Sequence, residues 1–197
     1  MENIENSLKY IKKVKPEEIE WTKLFGAYNC GRKIGEDIKN GNLLDLEVLE
    51  NIGNEIEHQS TLWTLTPFVM IFLTRQLEKN YGKKEEEFYY LLEIYKLIVE
   101  TLKSTKAGTL DEKFYDGLEI YPEMKEIFNI DLDLKDFDND EEDYTEAYYE
   151  EIEDIKYNSS FYYTDLIVQN SRDTIEKLLL NSNEKIKNLA TEILKNL

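Results

Sequence analysis

The chain has 197 residues, and its 42 acidic residues against 24 basic ones give a net charge of −18. A negative field of this size repels nucleic acid and anionic membranes and attracts basic protein surfaces, so direct binding to nucleic acid or membrane is not expected. A chain of this length buries enough surface to fold without a metal or a cofactor, and its single cysteine, Cys30, excludes an internal disulfide.

The N-terminal segment, MENIENSLKYIKKVK, has no apolar stretch of the length found in signal peptides. The longest apolar run, TLWTLTPFVMIFLT, is shorter than the roughly 18 to 20 residues that span a bilayer. A lone cysteine also suits a reducing compartment. These features predict a cytoplasmic protein.

Three prolines and eight glycines leave few breaks in the chain, and the periodicity is helical nearly throughout. Pro16 followed by Glu17 and Glu18 predicts a helix start, since proline suits the first helical position and carboxylates favour the positive end of the helix dipole. The residues expected to form the apolar stripes of the first two helices are Trp21, Leu24, Phe25 and Tyr28, and then Val48, Leu49, Ile52 and Ile56.

The apolar run that follows contains Pro67, which predicts a kink or a split in that segment. The next segment has the clearest amphipathic pattern, and Lys106–Leu110 after it, KAGTL, predicts a turn. The apolar residues of that pattern are Phe88, Leu91, Leu92, Tyr95, Ile98, Val99 and Leu102.

The pattern weakens from Asp111, becomes strongly acidic, and turns helical again after Asn158. Asn181 and Asn183 are placed to cap the helices beside them. The face of the last helix is formed by Ile186, Leu189, Ala190, Ile193, Leu194 and Leu197.

These paired, mostly short helices predict an all-α fold of stacked helical hairpins rather than a four-helix bundle. The C-terminal segment, residues 178–197, resembles a HEAT-type repeat, and this resemblance implies a short HEAT-like α-solenoid. Residues 1–197 are expected to form a single helical domain, with an acidic insertion at about 129–156. The closing segment, LLLNSNEKIKNLATEILKNL, supports the stacking, because the small Ala190 allows adjacent helices to approach closely.

The segments WTKLFGAYNCGRKIGEDI and IEHQSTLWTLTPFVMIFL resemble a bacterial family of small HEAT-repeat proteins, over residues 16–78 and more loosely over 158–197. Its members have a Trp-x-x-Leu…Ala-Tyr-Gly segment, then a histidine-glutamine-small-threonine phrase, then an apolar stretch ending in Pro-Phe-Leu. The sequence departs from that pattern at Asn29, Ser60 and Val69, and Lys187 stands where arginine is more usual. The matching residues are Trp21, Leu24, Ala27, Tyr28, His58, Gln59, Thr61, Pro67 and Phe68.

His58 is the only histidine and has no second histidine or nearby thiol with which to bind a metal or act on a nucleophile. It lies between an apolar helix and the apolar run. We therefore interpret it as a polar hinge, with Gln59 and Thr61 helping to satisfy backbone groups at the helix ends.

The acidic segment does not fit a calcium loop, although Asp136, Asp138 and Asp140 have the required spacing. The sixth position should be glycine and the twelfth glutamate, but Glu141 and Ala147 stand there. A phosphate-binding loop, a nucleophile elbow and a Cys-x-x-Cys pair are also absent, so enzymatic activity is not expected.

The segment is better suited to recognition, because four aromatic residues lie among thirteen acidic ones between Asp131 and Asp154. One interpretation is an acidic helix, roughly Glu141 to Ile155, whose helically spaced Tyr144, Tyr148, Ile152 and Ile155 dock on the core. The other is a binding surface, and both can hold together. The candidate partner-binding residues are Asp136, Asp138, Asp140, Glu141, Glu142, Asp143, Glu146, Glu150 and Glu151.

The expected function is binding and neutralising a basic macromolecular partner. Its most concrete form is an immunity protein that covers the basic active site of a toxin nuclease. The alternatives are an anti-CRISPR or other phage-type inhibitor of a nucleic-acid-binding protein, and a HEAT-like scaffold that binds a peptide or protein without inhibiting it.

Overall fold

The structure, a computed structural model, describes residues 2–79, 85–108, 123–126, 143, 146–148, 150 and 154–197. These residues are mostly helical, which confirms the all-α prediction. The α-helices are α1 (Glu2–Lys13), α2 (Arg32–Asn40), α3 (Leu46–Ile56), α4 (Leu65–Lys79), α5 (Glu85–Gly108), α6 (Asp154–Asn170), α7 (Arg172–Leu178) and α8 (Glu184–Asn196). Short 3₁₀ helices lie at Pro16–Glu18, Trp21–Lys23 and Met124–Glu126, and β1 (Glu57–His58) pairs antiparallel with β2 (Thr61–Leu62).

Three helices, α3, α5 and α8, lie side by side and run in the same direction. Between α3 and α5, Gly53 faces Ile94. Two turns further along α5, the Thr101 hydroxyl donates to Oε1 of Glu57, the residue after α3, at 3.5 Å. Between α5 and α8, the successive contacts are Glu85–Asn183 at 3.3 Å, Lys96–Glu192 at 2.7 Å and Lys103–Asn196 at 2.8 Å. The packed helix pairs include α2–α3, α3–α5, α5–α8, α7–α8 and α4–α6, consistent with the predicted stack of helical hairpins.

The helix α1, which the sequence pattern did not predict, lies against α4 and α6. Arg75 of α4 donates hydrogen bonds of 2.7 Å to the carbonyl oxygens of Ile11 and Val14, at the C-terminal end of α1. Ser7 of α1 donates to the Tyr163 hydroxyl of α6 at 3.0 Å. The two Arg75 bonds satisfy carbonyl groups that the end of a helix leaves without a partner. Together with the Ser7–Tyr163 bond, they join α1 to α4 and α6.

Tyr95 is fully buried and connects three helical elements through its hydroxyl group. It donates to Ser171, between α6 and α7, at 2.6 Å, and lies 3.2 Å from the Thr74 hydroxyl of α4. The Ser171 hydroxyl in turn donates to the carbonyl oxygen of Val168 at 2.6 Å. A buried hydroxyl is costly unless it is bonded, so this chain of bonds fixes the position of α5 relative to α4 and to the junction of α6 and α7.

The predicted helical stripe over residues 21–28 is wrong. The segment forms one 3₁₀ turn, Trp21–Lys23, followed by a loop; Trp21 is buried and Tyr28 is 56% exposed. The Trp21 indole donates to the carbonyl oxygen of Pro16 at 2.7 Å and packs on α2 at Gly35, where a Cβ would lie 2.6 Å from the indole Cδ1. The apolar spacing reflects this packing rather than an α-helix.

Two boundaries also differ from the sequence expectation. Pro67 lies in the first turn of α4, where a missing N–H costs little, so the apolar run divides before the proline and the helix itself is not kinked there. Residues 106–108 of the predicted turn belong to α5, and 109–110 lie outside the described residues.

The predictions for α3, α5 and α8 are confirmed, including the Asn183 cap, which accepts a 3.0 Å bond from the Lys185 amide.

None of the helices in the described part of the chain is both long enough and apolar enough to cross a membrane.

Burial raises the pKa of Tyr95 to about 12, above the ordinary value of 10.0. An unfolded tyrosine loses its proton near pH 10 whereas folded Tyr95 keeps it, so the unfolded state binds fewer protons and stability falls as the pH rises towards 12. We expect Tyr95→Phe to flatten this fall, measured as the free energy of urea unfolding at successive alkaline pH values. Tyr28→Phe, at an exposed ring, is the control; equal slopes in the two variants would contradict the assignment.

Candidate protein-recognition surface

A buried carboxylate organises the loop that follows the second 3₁₀ helix. Glu55, in the last turn of α3, is only 5% exposed. Its Oε2 accepts hydrogen bonds of 3.1 Å from the backbone amides of Tyr28 and Asn29, and its Oε1 accepts one of 2.6 Å from the Asn29 side chain. The Ala27 amide donates to the Glu55 backbone oxygen at 2.9 Å. The loop therefore caps the C-terminal end of α3 and also donates hydrogen bonds to the buried Glu55 carboxylate.

Gly26 makes this close approach possible. A Cβ at that position would lie 2.7 Å from the Glu55 backbone oxygen and would also meet the Glu55 side chain. The Gly26 amide donates to the Asn29 carbonyl at 2.9 Å, and Phe25 pairs with Cys30 across the same turn. The loop is thus closed on itself and fastened to α3, which fixes its conformation.

The closed loop presents Tyr28 to solvent beside His58. The Tyr28 ring is 56% exposed, its hydroxyl lies 3.1 Å from His58 Nδ1, and the two ring centres are 5.1 Å apart. The hinge interpretation expected the His58 nitrogens to satisfy helix ends. That role belongs to Thr66, whose hydroxyl donates to the Ile56 carbonyl at 2.6 Å and accepts from the Trp63 amide at 3.0 Å.

The tip between β1 and β2 is a tight two-residue turn with left-handed backbone at both central positions. Gln59 has φ 52° and Ser60 has φ 63°. Such turns favour Asn-Gly, because a left-handed conformation costs about 1–2 kcal/mol for other residues. The Ser60 amide donates to Glu57 Oε1 at 2.8 Å, which helps to hold the turn.

Tyr148, within the acidic segment, is anchored on the same loop. It is 1% exposed, its ring centre lies 3.9 Å from that of Phe25, and its hydroxyl lies 2.7 Å from the Thr64 hydroxyl. The Thr64 oxygen also accepts from the Phe25 amide at 3.0 Å. One threonine thus joins the loop, the hairpin and the acidic segment, and the expected docking of Tyr148 on the core is confirmed.

The predicted partner-binding residues fall into two groups. Asp143, Glu146 and Glu150 are exposed on either side of buried Tyr148, so these three carboxylates and the anchoring ring point to opposite environments. The remaining six, Asp136, Asp138, Asp140, Glu141, Glu142 and Glu151, lie outside the described residues.

This arrangement supplies hydrogen-bond acceptors and one exposed aromatic ring on a fixed loop. Carboxylates and tyrosine are suited to pairing with arginine and lysine side chains of another protein. Within the described ranges, no group of three or more His, Cys, Asp and Glu side chains is placed to hold a metal ion.

Sequence reasoning missed Glu55 and the exposure of Tyr28. A signal for Glu55 was present, because it occupies a position of α3 next to Ile52 and Ile56 on the buried face. A charged residue at such a position needs partners, and the loop containing Asn29 supplies them. The exposure of Tyr28 has no such signal, because it depends on the loop's being closed.

Comparisons of the chain with protein-family models, with curated proteins and with solved structures find no match. The resemblance of residues 16–78 to small HEAT-repeat proteins stays a prediction.

Glu55→Gln should lower the free energy of unfolding by about 1–3 kcal/mol, because one carboxylate oxygen becomes an amide group that cannot accept from the loop N–H groups. Urea unfolding measures the loss. Glu50→Gln, at an exposed position of the same helix, should change stability far less. Equal stabilities of the two variants would contradict the role of the buried carboxylate.

His58→Ala should lower the melting temperature, because it removes the contact between the His58 ring and Tyr28 beside a strained turn. The loss should be about 0.5–1.5 kcal/mol, the net contribution of one hydrogen bond. Thermal melting followed by circular dichroism checks it. An unchanged melting curve would show that His58 does not stabilise the hairpin.

Proposed function

We propose that the chain is an acidic binding protein that neutralises a basic macromolecular partner. The observation that supports this most directly is the position of Tyr148, buried on Phe25 and Thr64 with Asp143, Glu146 and Glu150 exposed around it. Because Tyr148 is anchored, Asp143, Glu146 and Glu150 are held near the loop before the partner arrives, so less conformational entropy is lost on binding.

The electrostatics fit a basic surface that normally binds nucleic acid. A net charge of −18 accelerates encounter with a positive partner, and salt weakens that attraction. Carboxylates placed along a segment occupy the positions that phosphates would take opposite arginine and lysine. The binding site of the partner is then covered without any chemical reaction.

The most concrete form of this function is an immunity protein that inhibits a toxin nuclease. An anti-CRISPR or other phage-type inhibitor of a nucleic-acid-binding protein would use the same surface chemistry on a different target. A scaffold that binds through its stacked helices is the remaining candidate, and the exposed Leu97 on α5 favours it over a surface that is purely acidic. An enzymatic activity and direct nucleic-acid binding are not proposed, and a cytoplasmic location is part of the proposal.

Affinity capture from the native host's lysate at low and high salt, followed by mass spectrometry, tests the proposal. We expect one basic protein, released by high salt, whose nucleic-acid binding or cleavage is inhibited by the chain. In a direct binding assay, Asp143→Asn/Glu146→Gln/Glu150→Gln should weaken this complex at least tenfold and leave the melting temperature of the free chain unchanged.

The matched control removes three exposed carboxylates elsewhere, by Asp173→Asn/Glu176→Gln/Glu184→Gln on α7 and α8. Both triple variants change the net charge equally, so a difference between them reports the acidic segment and not the total charge. Equal affinities of the two variants would remove the segment from the proposal. Capture of only acidic or salt-resistant proteins would overturn the inhibitor function and favour the scaffold.

A further inference from the structure

A groove runs between the parallel helices α5 and α8, on the face of the stack that they share. Its volume is about 410 Å³, and Tyr89, Glu93, Leu97 and Glu100 of α5 line one side of it. From Tyr89 to Glu100 the helix rises about 16 Å, the length of three helical turns. The groove is therefore long enough for a short helical segment of another protein.

An ion pair between the two helices is part of the lining of the groove. Lys96 lies 2.7 Å from Glu192 of α8 and 3.7 Å from Glu100 of its own helix. The hydrogen bond between them raises the pKa of Lys96 and lowers the pKa of Glu192. Two carboxylates thus compensate this one ammonium group, so the lysine does not make the groove basic.

The exposed side of the groove alternates acidic and apolar residues along one helix face. Leu97 is 39% exposed, with Glu93 one turn before it and Glu100 one turn after it, both exposed. Tyr89 is half-buried one turn before Glu93, and its hydrogen bond to that carboxylate raises the pKa of the phenol. Leu97 therefore presents part of an apolar side chain to solvent between two exposed carboxylates, outside the buried stripe of α5.

The charge is not uniform along the groove. Lys185, in the first turn of α8, lines the end near Tyr89, whereas Glu100 and Glu192 lie towards the other end. A positive helical segment would accordingly place most of its charge between Glu93 and Glu100. Glu93, Leu97 and Glu100 have the i, i+4 and i+7 spacing of one helix face, which is complementary to a base, an apolar residue and a base spaced by one turn each on a partner helix.

We propose that this groove binds an amphipathic basic helix of the partner protein, with an apolar side chain against Leu97 and lysine or arginine opposite Glu93 and Glu100. The inference rests on the proposed function for the basic nature of the partner. The groove would be a second binding surface, separate in sequence from the acidic segment. It would recognise the partner through shape and apolar contact as well as charge.

The first test uses a fluorescent synthetic peptide, an amphipathic helix of Lys, Arg, Leu and Ala, titrated with the full chain at low salt. Leu97→Gln should raise the dissociation constant at least fivefold. Leu46→Gln is the matched control, because Leu46 is 40% exposed on α3 and lies outside the groove. Equal affinities of the two variants would overturn the proposal.

The carboxylates are tested in the same titration. Glu93→Gln/Glu100→Gln should weaken binding of the peptide more than Glu47→Gln/Glu50→Gln, which removes two exposed charges from α3. Circular dichroism and thermal melting show whether each variant is folded. If both pairs weaken binding equally, the peptide senses only net charge and the groove is not its site.

The same variants separate this inference from the proposed function. Loss of the captured basic protein with both Leu97→Gln and the Asp143/Glu146/Glu150 variant supports two cooperating surfaces. Loss with the acidic-segment variant alone rejects the groove and leaves the inhibitor function in place. Loss with Leu97→Gln alone keeps the groove and rejects the acidic segment as the binding surface.

Discussion

The buried carboxylate of Glu55 is the constraint on which the first half of the structure depends. A charge near the C-terminal end of a helix opposes the helix dipole, and burial adds a desolvation cost. The loop around Tyr28 and Asn29 offsets both by donating its N–H groups to the carboxylate. Satisfying that one charge therefore closes the loop, exposes Tyr28 and positions Phe25 to receive Tyr148.

Two potential contact surfaces result from different levels of the fold. The acidic segment is held by local contacts, in which Thr64 bonds both to the Phe25 amide of the loop and to the Tyr148 hydroxyl. The α5–α8 groove depends on the parallel alignment of helices that belong to successive hairpins. A protein that uses both would recognise its partner by charge at one surface and by shape at the other, which improves discrimination between basic proteins of similar charge.

The sequence was informative where packing follows helical periodicity, as in α3, α5 and α8. It was misleading at residues 21–28, because Trp21 and Phe25 are buried by tertiary packing at a spacing that also fits an α-helix. The docking of Tyr148 was foreseeable from its spacing, but its partner Thr64 was not. The groove could not be predicted, since Lys96 and Glu192 meet only after the hairpins stack.

The helix α1 changes the character of the stack. In an open solenoid each repeat contacts only its neighbours, so a terminal repeat can fray while the rest stays folded. Here Ser7 and Tyr163, 156 positions apart, are hydrogen-bonded, and Arg75 of α4 binds the C-terminal end of α1. Loss of α6 would remove the Tyr163 contact of α1, so we expect α1 and α6 to unfold together rather than fray independently. Contacts this distant in sequence also slow folding.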